Sequence, residues 1–228
     1  MLARYHAAHL PRENARSFSY RIIKIQILNM QLLPGEKLSE AEMAQQLGVS
    51  RTPVHDTFAR LAREKMLEIE PQRGTFIPRL HSDRILQAAR IGLKLSLAVL
   101  ETLYVQRHSP EELQPLARCA EQEKEALPRA ASAAMEQLRT EFFRELFRLA
   151  GYMPVFQTMY RISADLTRML QLVDDMTVWN RLVRQHEAIV QALRQRDSDA
   201  ACARMTECFS LAVSLLAGLK ERYPQYFI

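Results

Sequence analysis

Residues 34–80 read PGEKLSEAEMAQQLGVSRTPVHDTFARLAREKMLEIEPQRGTFIPRL, and this stretch decides the fold of the N-terminal third. Ser39-Glu40-Ala41-Glu42 is a capping box: the Ser39 hydroxyl can accept from the amide of residue 42, and Glu42 can reach back. The short helix it opens turns Ala44 and Leu47 inward, and Gly48 suits the left-handed residue that closes it. Ser50 is expected to cap the next helix, where Pro53 is tolerated because first-turn amides have no intrahelical partner. Val54, Phe58 and Leu61 form a buried stripe and leave Arg51, Thr52 and His55 facing outward. Leu67–Glu70 and Thr75–Pro78 then alternate apolar and polar residues on either side of Pro71-Gln72-Arg73-Gly74, the pattern of a β-hairpin.

Upstream, Phe18, Ile22, Ile25, Leu28 and Leu32 recur at helical spacing, with Pro34-Gly35 as the expected stop. Helix, helix, turn, helix, hairpin is the order of a winged helix-turn-helix, assigned to residues 15–80. Residues 1–14, polar and basic, read as a flexible arm. From Ser82 onward the chain is almost free of glycine and reads as helix after helix. Residues 82–222 are therefore assigned to an all-helical bundle, which makes the fold mainly α.

The charge is unevenly placed. Residues 1–80 hold twelve Lys and Arg against eight Asp and Glu, whereas the rest holds nineteen against eighteen. A polyanion partner suits the first third only. Cys119, Cys202 and Cys208 make no CxxC pair, so a reducing cytoplasm is the expected location. No apolar run is read as long enough to span a membrane, and Met1–Asn14 has no apolar signal segment. GxGxxG, GxxxxGK[ST] and GxSxG are all absent from the sequence.

A helix fits the major groove with its N-terminal residues at base edges. Arg51 can grip a guanine bidentately, and Thr52 can bond a base or a phosphate. The first-turn amides after Ser39 and Ser50 can hold phosphates. Arg73, beside Gly74 at the hairpin tip, can lie against the backbone or enter the minor groove. Double-stranded DNA is thus the expected partner.

PGEKLSE, LGVSRTPV and PQRGTF, in that order, resemble the DNA-binding domain of GntR-type regulators. The helical remainder resembles the FCD (FadR C-terminal) subfamily. The resemblance implies a homodimer, an operator built as an inverted repeat, and a helical domain that binds a small-molecule effector. Two positions depart from the family: His55 stands where Arg is usual, and Lys65 where Gly is preferred, at some cost in strain.

Many FCD domains hold a divalent metal. Aligned on the family, the four ligand positions fall on Arg139, Phe143, His186 and Cys208, of which only His186 is a family ligand. Glu141 and Glu145 lie about 200° around the helix from Arg139 and Phe143 and should point away. No metal and no cofactor are expected. Arg139, a cation on an apolar face, needs a partner, and an anionic effector can supply one. Arg90 matches an Arg often kept near the family's pocket, while Lys94 replaces the acid often found four residues on. His186 reads equally as a core histidine or a ligand contact, and Cys208 as a small buried hydrophobe.

No catalytic residues are assigned. A helical-domain enzyme is the rival reading, but HExxH, a paired-carboxylate motif and a Cys/His dyad are missing. A small-molecule-binding module with weak, non-specific DNA binding is the other rival, because His55-Asp56 weakens the recognition helix.

Overall fold

A computed structural model describes residues 10–228; the first nine residues of the expected arm lie outside the described residues. The chain divides into two compact units, one holding residues up to Leu80 together with Gln225–Ile228, the other His81–Pro224.

The first unit opens with α1 (Ala15–Leu28), whose N-cap Asn14 accepts from the Ser17 amide. Its buried face is Phe18, Ile22, Ile23, Ile27 and Leu28, so Ile25 is only half-buried, against expectation. The helix also stops earlier than Pro34. Met30 turns left-handed, and the amides of Gln31 and Leu32 both return to the Gln26 carbonyl. Leu32 reaches the core by this chain reversal rather than on a continuing helix.

A short strand, β1 (Lys37–Leu38), follows. Then come α2 (Glu40–Leu47) and α3 (Arg51–Arg63), separated by Gly48 in the left-handed conformation. Met43 and Ala44 are the buried residues of α2, whereas Leu47 is only half-buried. In α3, Val54, Phe58 and Leu61 are essentially without solvent contact, at about 1.5–3 kcal/mol for each large side chain removed from water. β2 (Glu68–Glu70) and β3 (Gly74–Phe76) form the hairpin. β3 is central, antiparallel to both β1 and β2, with Leu38 opposite Thr75 and Ile69 opposite Thr75 on the other side. The two-residue strand β1 was not legible as a strand, because two residues carry no alternation to read.

α3 closes on Lys65 at φ 59, the strained conformation implied by its standing where the resembled family prefers Gly. A polar cluster ties this end of α3 to α1. The Tyr20 hydroxyl donates to Glu64, Lys24 pairs with Glu64 at 2.7 Å, and the Arg60 guanidinium lies 3.6 Å over the Tyr20 ring. Burial would raise the Glu64 carboxyl pKa, but Lys24 and Tyr20 together hold it below the usual range.

The last four residues belong to this unit as well. The Leu80 amide donates to the Tyr226 carbonyl, the Ile228 amide donates to the Leu80 carbonyl, and Phe227 is buried. Local periodicity ends before this segment, so the sequence leaves it unassigned.

The second unit is helical throughout: α4 (Ser82–Gln106), α5 (Gln114–Ala126), α6 (Ser132–Leu149), α7 (Met153–Ile162), α8 (Ala164–Leu170), α9 (Met176–Gln195), α10 (Ser198–Ser214) and α11 (Leu216–Arg222). α10 packs between α9 and α4, and α5 packs on α6 and α9. The core between them holds Phe142, Leu146, Phe147, Trp179 and Ile189. Trp179 anchors the start of α9 by donating its indole N–H to the Val173 carbonyl. One stretch, Ser198–Arg222, is long and apolar enough by length and composition to cross a bilayer, which corrects the sequence expectation on apolar runs. Here it is split at Leu215 into α10 and α11, and α10 packs against α9 and α4.

Candidate functional site

In the first unit, Arg51, Thr52 and His55 are exposed together on the first turns of α3. Pro53 and Val54, facing the other way, are buried and fix the helix in place. Ser50 occupies the N-cap position in extended conformation, but its hydroxyl makes no capping bond. This corrects the expectation of a side-chain cap. It also leaves the Arg51 and Thr52 amides without a side-chain partner at the positive end of the helix dipole.

Ser39 does cap: its hydroxyl accepts from the Glu42 amide at 3.4 Å. That use of the amide, with Glu40 and Glu42 in the first turn, makes the α2 terminus the poorer phosphate site of the two.

His55 is exposed but not free, as its Nδ1 lies 2.9 Å from Glu40. The hydrogen bond to Glu40 and the Glu40 charge raise the His55 pKa. The ring is therefore more readily protonated than its identity alone suggests, and a cationic His is nearer in character to the family's Arg.

At the wing tip, Arg73 is largely exposed and pairs with Glu70. Gly74 sits at φ +124, a conformation side chains rarely adopt, and a Cβ there would lie 2.6 Å from Lys37 Cε. Gly74 thus shapes the wing by letting Lys37 of β1 cross β3 closely.

In the second unit, α6 brings Arg139 and Phe143 to the interior, α9 brings His186 and α10 brings Cys208. These four, the positions read as one interior from the sequence, line a single small hollow of about 10 Å³ together with Leu182 and Phe209. Arg139 and Phe143 also line a second small hollow of about 30 Å³, with Gly92, Tyr160 and Thr140 on its walls. Gly92 is required where it stands, since a Cβ would meet the Phe209 ring at 2.9 Å. Glu141 and Glu145 face away, paired with Arg144 and Arg148.

Arg90 is exposed and lines neither hollow, so its expected place in the pocket is corrected. It falls on the solvent side of α4, between the buried residues Ala89 and Gly92.

Two buried acids that sequence reasoning missed complete the site. Glu136 takes Arg139 Nη2 and Nε in a two-point grip one helical turn away. The partner that Arg139 needs is therefore already present in the chain. Glu123, on α5, accepts or shares the Nδ1 proton of His186 at 2.7 Å, and both residues are 1% exposed. Phe142 stacks on the imidazole with centroids 4.2 Å apart, and Phe143 meets it edge-on. Burial by itself would lower the His186 pKa, but the Glu123 charge, with the Cys208 sulfur adding to it, pushes it up to about 10. The other ring nitrogen, Nε2, is buried, and the Cys208 side chain is the ring's second hydrogen-bonding neighbour. Both acids were hidden in charged runs, AEQEKEA and AAMEQLRTE, that read locally as solvated faces.

A carboxylate behind an imidazole is a common support for a metal ligand, but the rest of a metal site does not fit here. Arg139 and Phe143 have no ligating atom, and among the described residues no group of three or more His, Cys, Asp or Glu is placed to hold a metal. A divalent cation would also sit beside a buried guanidinium.

The model of the bacterial regulatory proteins of the gntR family matches residues 17–77, and that of the FCD domain matches residues 94–211. The HTH-type transcriptional repressor RspR of Escherichia coli K12 is 26% identical over 198 residues, 86% of each chain. The Nta operon transcriptional regulator of Aminobacter aminovorans is 28% identical over 195 residues, covering 84% of this chain and 85% of the relative. Among solved structures, E. coli McbR/YncC superposes with a TM-score of 0.78 at 18% identity, covering 92% of this chain and 99% of that one. A GntR transcriptional regulator from Rhodococcus sp. RHA1 gives 0.71 at 19% identity, over 89% and 97%.

Proposed function

The chain belongs to the GntR family of bacterial regulatory proteins, with an FCD domain as its helical half, and from that premise we propose that it binds an inverted-repeat operator as a homodimer under the control of an organic anion. It is a DNA-binding transcriptional regulator. The observation that carries the operator reading is the first turn of α3. Arg51 and Thr52 stand exposed beside two uncapped amides, on a helix fixed from behind by Pro53, Val54 and Phe58. Arg51 reads a base edge, Thr52 and the amides hold a phosphate, and Arg73 of the wing leans on the neighbouring backbone. One such unit makes few contacts, so a twofold pair of chains on two half-sites supplies the affinity. The protein works where its operator is, in the cytoplasm.

The effector enters the helical domain at the hollow lined by Arg139, Phe143, His186 and Cys208. Binding there favours one arrangement of the helices over another, and this changes operator affinity. Fluorescence anisotropy with the DNA upstream of its own gene tests the reading. The expected result is saturable binding that survives excess non-specific DNA, with a mass by light scattering of two chains. Binding that competitor DNA removes completely would refute operator recognition.

A further inference from the structure

We propose that Glu40 and His55 form one base-reading unit: Glu40 holds the His55 ring by Nδ1, and the protonated ring donates from Nε2 to a guanine edge in each half-site. This rests on α3 being the recognition helix of the operator reading above, and it makes part of the sequence preference depend on a proton.

The two residues come from the two helices of the helix-turn-helix. Glu40 is the first residue of α2, and His55 is the fifth of α3. Their side chains meet at 2.9 Å, carboxylate to Nδ1, while 68% of the His55 side chain stays exposed. Nε2 makes no hydrogen bond among the described residues, so it is available to a ligand. Arg51 stands one turn earlier on the same exposed face. Few charged groups surround the ring. Glu40 faces it from α2, Asp56 is its neighbour on α3, and Arg16 of α1 pairs with Asp56. In the operator reading Thr52 and the first amides of α3 take the backbone, which leaves the ring for a base.

The choice of base follows from the tautomer. An ionised carboxylate only accepts, so Nδ1 keeps its hydrogen in both charge states of the ring. Nε2 is then the atom that gains and loses the proton. Neutral, it is a bare acceptor, matched to the amino group of cytosine or adenine. Protonated, it is an N–H donor, matched to O6 and N7 of guanine. The protonated form is favoured on DNA. The hydrogen bond to Glu40 and the Glu40 charge already raise the pKa of the ring. The phosphates add a negative potential across the groove. Glu40 itself is repelled by those phosphates unless a cation covers it. An Arg at this place would read guanine at any pH, because a guanidinium keeps its proton. With His55 the reading is reversible: once the proton leaves, the lone pair on Nε2 meets the acceptor edge of guanine.

The test selects binding sequences for the full chain from a randomised duplex pool at about pH 6 and about pH 9, on either side of the histidine range. The wild type should enrich a guanine in each half-site at the lower pH and no longer enrich it at the higher. On a duplex carrying that guanine, affinity should fall about tenfold or more between the two conditions. His55→Arg should enrich the same guanine at both pH values, and His55→Ala at neither. Glu40→Gln keeps a hydrogen-bonding partner but removes the charge, and it should move the loss of guanine toward lower pH. A role for Glu40 in folding alone would leave that pH profile where it is. A guanine preference untouched by pH or by His55→Ala would overturn the proposal. So would a pH-dependent affinity with an unchanged motif, the mark of a phosphate contact, and so would an unmoved profile in Glu40→Gln. In each of these outcomes a motif is still enriched, so operator recognition stands while this proposal fails. A pool that yields no motif at either pH refutes operator recognition itself, and the guanine reading with it.

Discussion

Glu123 and His186 lie 63 residues apart in the chain and share a 2.7 Å hydrogen bond in the interior of the helical domain. Neither is exposed beyond 1%, so the pair is a buried ion pair. Such pairs contribute little net stability compared with apolar residues of the same size, yet removing one partner strands the other.

Glu123→Gln should therefore destabilise the helical domain by about 3–5 kcal/mol, because an unpaired imidazolium or a buried neutral ring replaces the pair. Denaturant unfolding followed by circular dichroism measures it. A loss within about 0.5 kcal/mol, the range of ordinary surface substitutions, would contradict the ion pair.

The same pair sets a pH dependence. The unfolded histidine titrates near about 6.5, and the folded one is pushed up to about 10 by Glu123. A raised folded value means the contribution is fully present below the unfolded value and is lost as pH rises through about 10. The melting temperature should fall on the alkaline side in the wild type, and this part of the fall should be missing in Glu123→Gln. Parallel melting curves against pH check both.

Arg51→Ala should cost about 1–3 kcal/mol at the operator and relax sequence preference. Arg73→Ala should weaken binding evenly across sequences and reduce the salt slope by about 1. Anisotropy titrations against operator and scrambled DNA at several salt concentrations separate the two behaviours.

Lys65→Gly should stabilise the first unit by about 0.5–1 kcal/mol, because the left-handed residue after α3 loses its Cβ clash and regains part of that in chain entropy. Gly74→Ala acts in the opposite direction. Its φ of +124 is strained for any residue with a Cβ, and the Lys37 side chain would have to swing aside. It should loosen the wing by about 1–3 kcal/mol and weaken DNA binding, while hydrogen exchange in the helical unit stays unchanged.

Much of the first unit was legible because its signals are local. Gly48 announces its left-handed turn, Ser39 its cap, and Pro71-Gln72-Arg73-Gly74 the hairpin, each within a few residues. Lys65 was legible only through the family resemblance, as a residue standing where Gly is preferred. The failures were of a different kind. Ser50 was expected to cap, but whether a hydroxyl turns to its own helix depends on a rotamer that the surroundings select. Ile25 was placed in the core by spacing, yet Ile23 and Ile27 are the buried neighbours. A helix carrying apolar residues on several sides needs its partner to choose the face.

The sequence by itself determined the helix, helix, turn, helix, hairpin order of the first unit, β1 apart, the helical character of the second, and the residues exposed at the start of α3. Those features follow from backbone conformation and from periodicity over one or two turns. Only the tertiary structure decided which charges lie inside. Glu121, Glu123 and Glu125 are alternating glutamates on one stretch of α5, and sequence gives no reason to single out the middle one. Glu123 is the one that α5 turns toward α9, where His186 waits 63 residues on. In the same way Glu136 claims Arg139, and packing leaves Arg90 in solvent. A buried charge is set by its partner across the core, and that partner is chosen by helix packing, which no local window of sequence contains.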